Sequence, residues 1–373
     1  MTQEIIEKVE TQIVDLPIKR VHNFSATSIS TKSFLLVRVH SKNGVTGIGE
    51  ATTPGGPWWA GEAIESIKVM IDRYFAPALI GENAMHISRI MEALDRIAVR
   101  NYFAKAALEM ALLDIKGRVL GVPVYELFGG LYRDSIEFCW ALAQGEPEAD
   151  VQEAEQMMEK NLTRHFKVKM GYKSAEDDVH YLGELCRKLN DRATVRGDLN
   201  AAWDETVARK YLPVLEQQGM HLIEQPLQTW NRAGLARLRR AVTMPILADE
   251  SLQTLQDAKE LVDLAAVDAV SLKPLKSGGL MACQRIIAVA DAAGIACYGG
   301  TFLETSVGTA SFLHLIAATP QLDYGNELVG PIWLADDIVQ EPVEYRDHRI
   351  WIKHGPGLGI ELDEDKVRHY TRE

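Results

Sequence analysis

The sequence predicts an α/β fold in which parallel strands close into a barrel, preceded by a smaller segment of mixed strands and helices. Three observations carry this. From about Glu137 onward, short apolar strands alternate with amphipathic helices, the order that yields parallel strands joined by right-handed crossovers. Eight such strands can be counted, and eight most simply close on themselves. The first third runs strands first and helices afterwards, which marks an α+β unit.

In that first third, Ser33–His40 and Val45–Glu50 read as strands, with Asn43-Gly44 between them as a hairpin turn that tolerates positive φ. The loop Pro54-Gly55-Gly56-Pro57-Trp58-Trp59 follows; its two tryptophans either pack on the core or form a lid over a ligand. Helical patterns cover Ala60–Tyr74, His86–Ala98 and Asn101–Leu120, the last stopped by Gly121. The barrel strands are expected at Phe138–Ala143, Phe166–Met170, Thr194–Asp198, Leu222–Glu224, Ile246–Ala248, Ala269–Lys273, Ala296–Gly299 and Tyr324–Glu327. Helices are expected at Asp150–Lys160, Ala175–Leu189, Asp204–Gln218, Trp230–Ala241, Leu255–Leu264 and Leu280–Ala293. Gly330-Pro331 stands where an eighth outer helix would begin, and Ile338–Glu361 reads as short strands able to return to the N-terminal unit. The expected division is therefore 1–132, 133–330 and 331–373.

Charge and composition narrow the function. The 373 residues carry a formal net charge of −12, which argues against a nucleic-acid or anionic-membrane partner. Cys139, Cys186, Cys283 and Cys297 are far apart with no CxxC, so buried thiols in a reducing cytoplasm are expected rather than a zinc site or redox dithiol. The acidic start Met1-Thr2-Gln3-Glu4 lacks an apolar stretch, so no signal peptide is expected. No apolar run approaches the ~20 residues that span a bilayer.

The chemistry lies in the spacing of polar residues at the strand ends. Lys169 to Asp198 is 29 residues, and the next steps, to Glu224, Asp249, Lys273, Tyr298 and Glu327, are 26, 25, 24, 25 and 29. Each step is one βα unit, so these residues form a ring at the mouth where barrel active sites sit. Three consecutive members, Asp198, Glu224 and Asp249, are carboxylates that repel unless a cation neutralises them. An all-oxygen set suits Mg²⁺ or Mn²⁺. Asn200, two residues past Asp198, can support a ligand or a metal-bound water. Lys167 and Lys169 share one strand face, and Lys273 comes from the opposite side of the ring. A desolvated lysine among cations can have its pKa lowered enough to exchange protons. Two such lysines could address both faces of a carbon beside a metal-bound carboxylate, with the metal and Lys167 holding enediolate charge.

These residues resemble the enolase superfamily in its muconate cycloisomerase subgroup. The likeness spans nearly the whole chain: Gly47-Ile48-Gly49-Glu50, Val122-Pro123-Val124-Tyr125-Glu126-Leu127, Phe166-Lys167-Val168-Lys169, Leu222-Ile223-Glu224-Gln225-Pro226, Ala248-Asp249-Glu250-Ser251, Ser271-Leu272-Lys273 and Tyr298-Gly299-Gly300-Thr301. The resemblance implies a (β/α)7β TIM-like barrel with an N-terminal α+β capping domain completed by the C-terminal tail. It implies Asp198, Glu224 and Asp249 as ligands of Mn²⁺ or Mg²⁺. Lys169 and Lys273 become acid/base candidates, Lys167 an electrostatic stabiliser and Glu327 a polar contact from the last strand. Pro54, Trp59, Asn200, Lys276, Tyr298 and Phe302 are the candidate substrate contacts. Gly55-Gly56-Pro57, Trp59 and the tail Lys366–Arg372 look like the chloromuconate-processing members, whereas Pro54 replaces a usual branched aliphatic and Phe302 a usual Met.

The implied activity is metal-dependent conversion of cis,cis-muconate or a chloromuconate to a lactone through an enolate, in cytoplasmic catechol degradation. The implied partners are a small dicarboxylate and further copies of the chain, often eight. The same lysines would also serve a dipeptide epimerase, an N-acylamino-acid racemase or an o-succinylbenzoate synthase. A Schiff-base lyase and a non-catalytic binding protein fit the carboxylate trio and the complete ring less well.

Overall fold

The computed structural model describes residues 3–23 and 27–373; Met1 and Thr2 of the acidic start lie outside the described residues. The chain opens with an antiparallel sheet in the order β1 (Ile6–Asn23), β2 (Ser28–Ser41) and β3 (Thr46–Thr52). β1 goes beyond the sequence reading. Glu7, Lys8 and Glu10 blur its apolar alternation, and Pro17 removes a backbone donor. The strand tolerates this because it lies at the sheet edge and its pairing shifts register after Pro17. The β2–β3 hairpin forms as expected, but only Gly44 is left-handed, with φ +84°. Its N–H donates to Ser41 O at 3.0 Å, giving a three-residue loop in place of a two-residue turn.

The three helical patterns appear as Ile64–Met70 continued by a π turn and a short helix to Leu79, Ile87–Ile97, and Tyr102–Leu120. The first starts four residues later than expected, since Gly61 holds φ +81° just before it. Helix 102–120 is buried along most of its length, and β3 lies directly on its backbone. A Cβ at Gly47 or Gly49 would stand 2.0 Å from Ala111 O or Ala107 O, so only glycine permits this approach.

The barrel strands are labelled after the short β4 (Ser135–Glu137). They are β5 (Cys139–Leu142), β6 (His165–Lys169), β7 (Thr194–Asp198), β8 (Leu222–Glu224), β9 (Ile246–Ala248), β10 (Ala269–Leu272) and β11 (Ala296–Gly299). They form one parallel sheet in chain order. The expected eighth strand is reduced to a crossing at Asn326, which bridges Phe138 on one edge and Gly299 on the other. Cys139 N–H donates to Asn326 O at 2.7 Å and Glu327 N–H to Gly299 O at 2.8 Å, so the ring closes there. Gly325, at φ +70°, stops a longer strand.

Seven outer helices follow the strands. Six match the sequence pattern: 147–159, 175–189, 205–217, 232–239, 255–263 and 280–292. The seventh, Ser306–Ala318, is the helix the (β/α)7β expectation implied without placing it; it is buried on nearly every side and therefore shows no amphipathic stripe. After Asn326 the short helix Gly330–Trp333 stands where an eighth outer helix would begin, and the tail ends in the helix Glu364–Tyr370.

The tail contacts both the start of the barrel segment and the N-terminal sheet and helix. β12 (Tyr345–Arg346) and β13 (Arg349–Trp351) pair with each other, and β13 pairs with β4. Asp114 on helix 102–120 accepts from Ile48 N–H at 3.0 Å and from Leu358 N–H at 2.9 Å, tying β3 and the tail to one side chain. Arg372 bonds Asp15 and Ser33 at 2.7 Å. The four cysteines are buried and unpaired. No helix among the described residues is long and apolar enough to cross a membrane.

Candidate active site

The parallel register places the polar strand ends side by side. Lys169 is the partner of Asp198, and Asp198 the partner of Glu224. Asp249 and Lys273 follow β9 and β10 directly, Tyr298 lies in β11, and Glu327 follows the closing residue Asn326. All seven are buried. Gln225 fixes the corner between β8 and β9: its Oε1 accepts the N–H groups of Asp249 (3.0 Å) and Ser251 (3.1 Å), and its Nε2 donates to Ser251 Oγ at 2.6 Å.

Lysines and carboxylates interleave around the ring. Lys167 Nζ lies 3.0 Å from Glu224 Oε2, 3.4 Å from Asp198 Oδ2 and against Glu327 Oε2. Lys169 Nζ donates to Asp198 Oδ2 at 2.5 Å. Lys273 Nζ donates to Asp249 Oδ2 at 2.6 Å, and Lys276 Nζ reaches Asp249 Oδ1 at 2.6 Å and its carbonyl at 2.7 Å. Burial opposes charge on Lys167, but Glu224, Glu327 and Asp198 outweigh it and hold the ammonium well above the usual lysine range. The same balance, with Asp249 as the main partner, raises Lys273. Each of these two ammonium groups meets carboxylates, whereas the lowering considered from the sequence was for a lysine beside other cations and a metal. Glu224 is pushed up to about 8 by burial, with Lys167 opposing.

One pocket collects most of the candidates. Pro54, Trp59, Lys169, Asn200, Lys273, Phe302 and Glu327 line it, and the sequence reading had not singled out its further lining residues Ala141, Thr301 and Leu303. Lys167 and Tyr298 are buried outside the pocket lining and contact one of its lining residues, Glu327, to which Tyr298 OH donates at 2.9 Å. Lys276 lines a neighbouring crevice with Glu62, Trp230 and Arg232. Trp59 packs against the core and lines this pocket: its ring meets Phe302 edge-on, with centres 4.8 Å apart, and Lys273 Nζ is 5.1 Å from its centre. Trp58 Nε1 donates instead to Pro54 O within the loop, at 2.7 Å. Asn200 supports Asp198 through its backbone N–H, 3.0 Å from Oδ1. Its side chain donates to Glu250 at 3.0 Å. Glu250, next to Asp249 in the same motif, has no strand-end spacing of its own to mark it in the sequence.

The donor chemistry fits a hard divalent cation. Asp198, Glu224 and Asp249 are at most 1% exposed, and Glu224 Oε1 is buried without a hydrogen-bond partner, a costly state that an oxygen-seeking cation would relieve. As arranged, no three acidic, cysteine or histidine side chains among the described residues converge on one point; the ammonium groups lie between the carboxylates.

Comparison with known proteins agrees with this architecture. Residues 8–129 match the N-terminal domain of the mandelate racemase/muconate lactonizing enzyme family, and residues 149–366 match the enolase C-terminal domain-like family. The chain is 42% identical to muconate cycloisomerase 1 of Rhodococcus opacus over the full length of both. It is 44% identical to a chloromuconate cycloisomerase of Cupriavidus pinatubonensis, over 98% of this chain and 99% of that one. The solved muconate lactonizing enzyme of Pseudomonas fluorescens, in complex with muconolactone, superposes with a TM-score of 0.98 at 40% identity, covering 100% of both chains. Muconate cycloisomerases of this superfamily depend on a divalent metal. With both of its parts matched and full-length relatives above 40% identity, the chain belongs to the mandelate racemase/muconate lactonizing enzyme family of the enolase superfamily.

Proposed function

We propose that the protein is a cycloisomerase converting cis,cis-muconate, or a chloro-substituted muconate, to a muconolactone or dienelactone in cytoplasmic catechol ortho-cleavage. Full-length likeness to enzymes of both names supports the reading. The single observation that carries it is the placement of Lys169 and Lys273, four strands apart, on one pocket walled by Trp59 and Phe302.

In this reading Asp198, Glu224 and Asp249 hold Mn²⁺ or Mg²⁺, which supplies Lewis-acid stabilisation of a carboxylate and of the enediolate charge. The chain does the rest. Lys167, buried among carboxylates, adds fixed positive charge near the enediolate. One substrate carboxylate oxygen bonds to the far double bond, the displaced electron pair settles as an enolate, and Lys169 Nζ delivers a proton to the enolate carbon. Lys273 stabilises the enolate from the other face. Glu327 holds Lys167 and Tyr298 in place, and Pro54, Trp59, Asn200 and Phe302 shape the pocket, with Lys276 supporting Asp249 from behind. The dianionic muconate gives a monoanionic muconolactone, so that turnover takes up one proton. Where a chloromuconolactone goes on to the dienelactone, chloride leaves with its bonding pair and a ring proton is released, so no net proton is taken up.

Residues 1–132 and 331–373 form the cap in this reading, residues 133–330 the catalytic barrel, and the working particle is a homo-oligomer, an octamer by family likeness. The test is steady-state kinetics with Mn²⁺ on muconate and on 2- and 3-chloromuconate, with products identified by NMR. Lactone formation is expected. Turnover confined to dipeptides, N-acylamino acids or the o-succinylbenzoate precursor would overturn the assignment.

A further inference from the structure

Glu250 joins parts of the molecule that are distant in sequence. It follows Asp249 beyond β9 and is only 7% exposed. Its Oε1 accepts two hydrogen bonds, from Trp59 Nε1 at 3.1 Å and from Asn200 Nδ2 at 3.0 Å. Asn200 in turn gives its backbone N–H to Asp198 Oδ1 at 3.0 Å. One carboxylate oxygen therefore links the tryptophan loop of the N-terminal unit, the end of β7 and the end of β9. The Trp59–Glu250 hydrogen bond adds to the contacts of the Trp59 ring with Phe302 and Lys273 in holding this loop. Its Gly55, Gly56 and Gly61 are all left-handed, at φ +80°, +134° and +81°, and glycine-rich backbone has large conformational freedom to lose. Inside the loop, Trp58 donates to Pro54 O and Gly61 N–H to Pro57 O, both at 2.7 Å.

We propose that Glu250 is a positioning residue, a latch that clasps Trp59 to Asn200 so that the loop closes over the pocket and Asp198 is aligned in one motion. Because one oxygen accepts from both donors, the position of the Glu250 carboxyl group sets the two contacts together. Ordering of the loop around the substrate then reaches Asp198 through Asn200, and disorder at either end weakens the other. The inference rests on the cycloisomerase reading only for the choice of substrate; the clasp itself is testable without any.

Hydrogen exchange of residues 53–61 in the intact protein gives the primary readout. Glu250→Ala and Trp59→Phe, which keeps a ring but loses the N–H donor, should each raise exchange of that segment by about tenfold. Glu250→Gln keeps an acceptor oxygen and should restore protection. Combining Glu250→Ala with Trp59→Phe should add nothing further, since both cut one link. In kinetics on whichever dicarboxylate the wild type accepts, Trp59→Phe should raise KM more than it lowers kcat, whereas Glu250→Ala should affect both, because Asn200 is freed as well. Wild-type exchange in Trp59→Phe, or additive effects in the double variant, would overturn the latch, and the Trp59→Phe result stands even if Glu250→Ala fails to fold. A protected loop in an enzyme without muconate activity would instead count against the cycloisomerase reading alone.

Discussion

The Lys273 ammonium lies 5.1 Å from the ring centre of Trp59. A loop of the N-terminal unit thus brings an aromatic wall directly against a lysine at the end of a barrel strand. Phe302 completes the corner, its ring centre 4.7 Å from the same ammonium. Both rings present a negative face to the cation, so the wall affects the lysine as well as the shape of the pocket.

Replacing Trp59 by Tyr should therefore change substrate choice. The indole fills more of the pocket than a phenol, and a substrate with a bulky chlorine depends on that wall differently from unsubstituted muconate. We expect the ratio of kcat/KM to shift toward unsubstituted muconate by about 1–3 kcal/mol, the size of a pocket contact. Parallel kinetics on muconate and chloromuconates measure this; an unchanged ratio in a folded variant would leave Trp59 a purely structural role.

Metal dependence should be complete. Asp198 and Glu224 are register partners and Asp249 follows the next strand, so their buried charges need neutralising in the working site. Chelation by EDTA should abolish turnover, and Mn²⁺ or Mg²⁺ should restore it. Glu224→Gln removes a charge but little volume; it should weaken metal binding in calorimetric titration and lower kcat by several orders of magnitude. Full activity in metal-stripped enzyme would refute the assignment.

The barrel and its ring were legible because each depends on a local signal. Lys169, Asp198, Glu224, Asp249 and Lys273 sit one βα unit apart, and a parallel sheet turns that spacing into adjacency. The position of Ser306–Ala318 was not legible, because a helix buried on nearly all sides carries no periodicity. β1 was hidden by Pro17 and its charged start, which an edge strand accommodates. Glu250 lay in plain view beside Asp249, yet its partners are Trp59 and Asn200, and no local pattern encodes a contact across 191 residues. The raised lysines were likewise invisible, since which charge each ammonium meets depends on side-chain placement across strands.

Stability should depend on pH through Glu109. This carboxylate, on helix 102–120, is 2% exposed and accepts Met281 N–H at 3.3 Å from the first turn of helix 280–292. Burial pushes it up to about 8, although these backbone donors oppose the shift. Below the ordinary glutamate value of 4.5, folded and unfolded chains both hold the proton. Between there and about 8 the unfolded chain releases it while the folded chain keeps it, so stability falls as pH rises, and above 8 the loss is constant. Glu109→Gln lacks this dependence while keeping an acceptor oxygen. Denaturation at fixed protein concentration should show the variant gaining on wild type between pH 5 and 8, by an amount on the order of a few kcal/mol. A constant difference across that range would show that Glu109 ionises normally.

The two flanking lysines should divide the proton chemistry by face. Lys169 projects from β6 toward Asp198, and Lys273 lies four strands away on Asp249, so in the proposed reaction they would approach an enolate carbon from opposite sides. Lys167 shares the strand face of Lys169 but is held by Glu224, Asp198 and Glu327, which suits it to fixed charge rather than proton transfer. Lys169→Ala should lose nearly all lactone formation while still binding metal and substrate. Lys273→Ala should be impaired as well, because a cation beside an enolate in a dry site is worth several kcal/mol. Turnover in D₂O decides between them, with NMR reading the face on which deuterium enters the lactone. Syn addition is expected and assigns the proton to Lys169; anti addition would exchange the roles of the two lysines while leaving the carboxylates, Lys167 and the aromatic wall as they are.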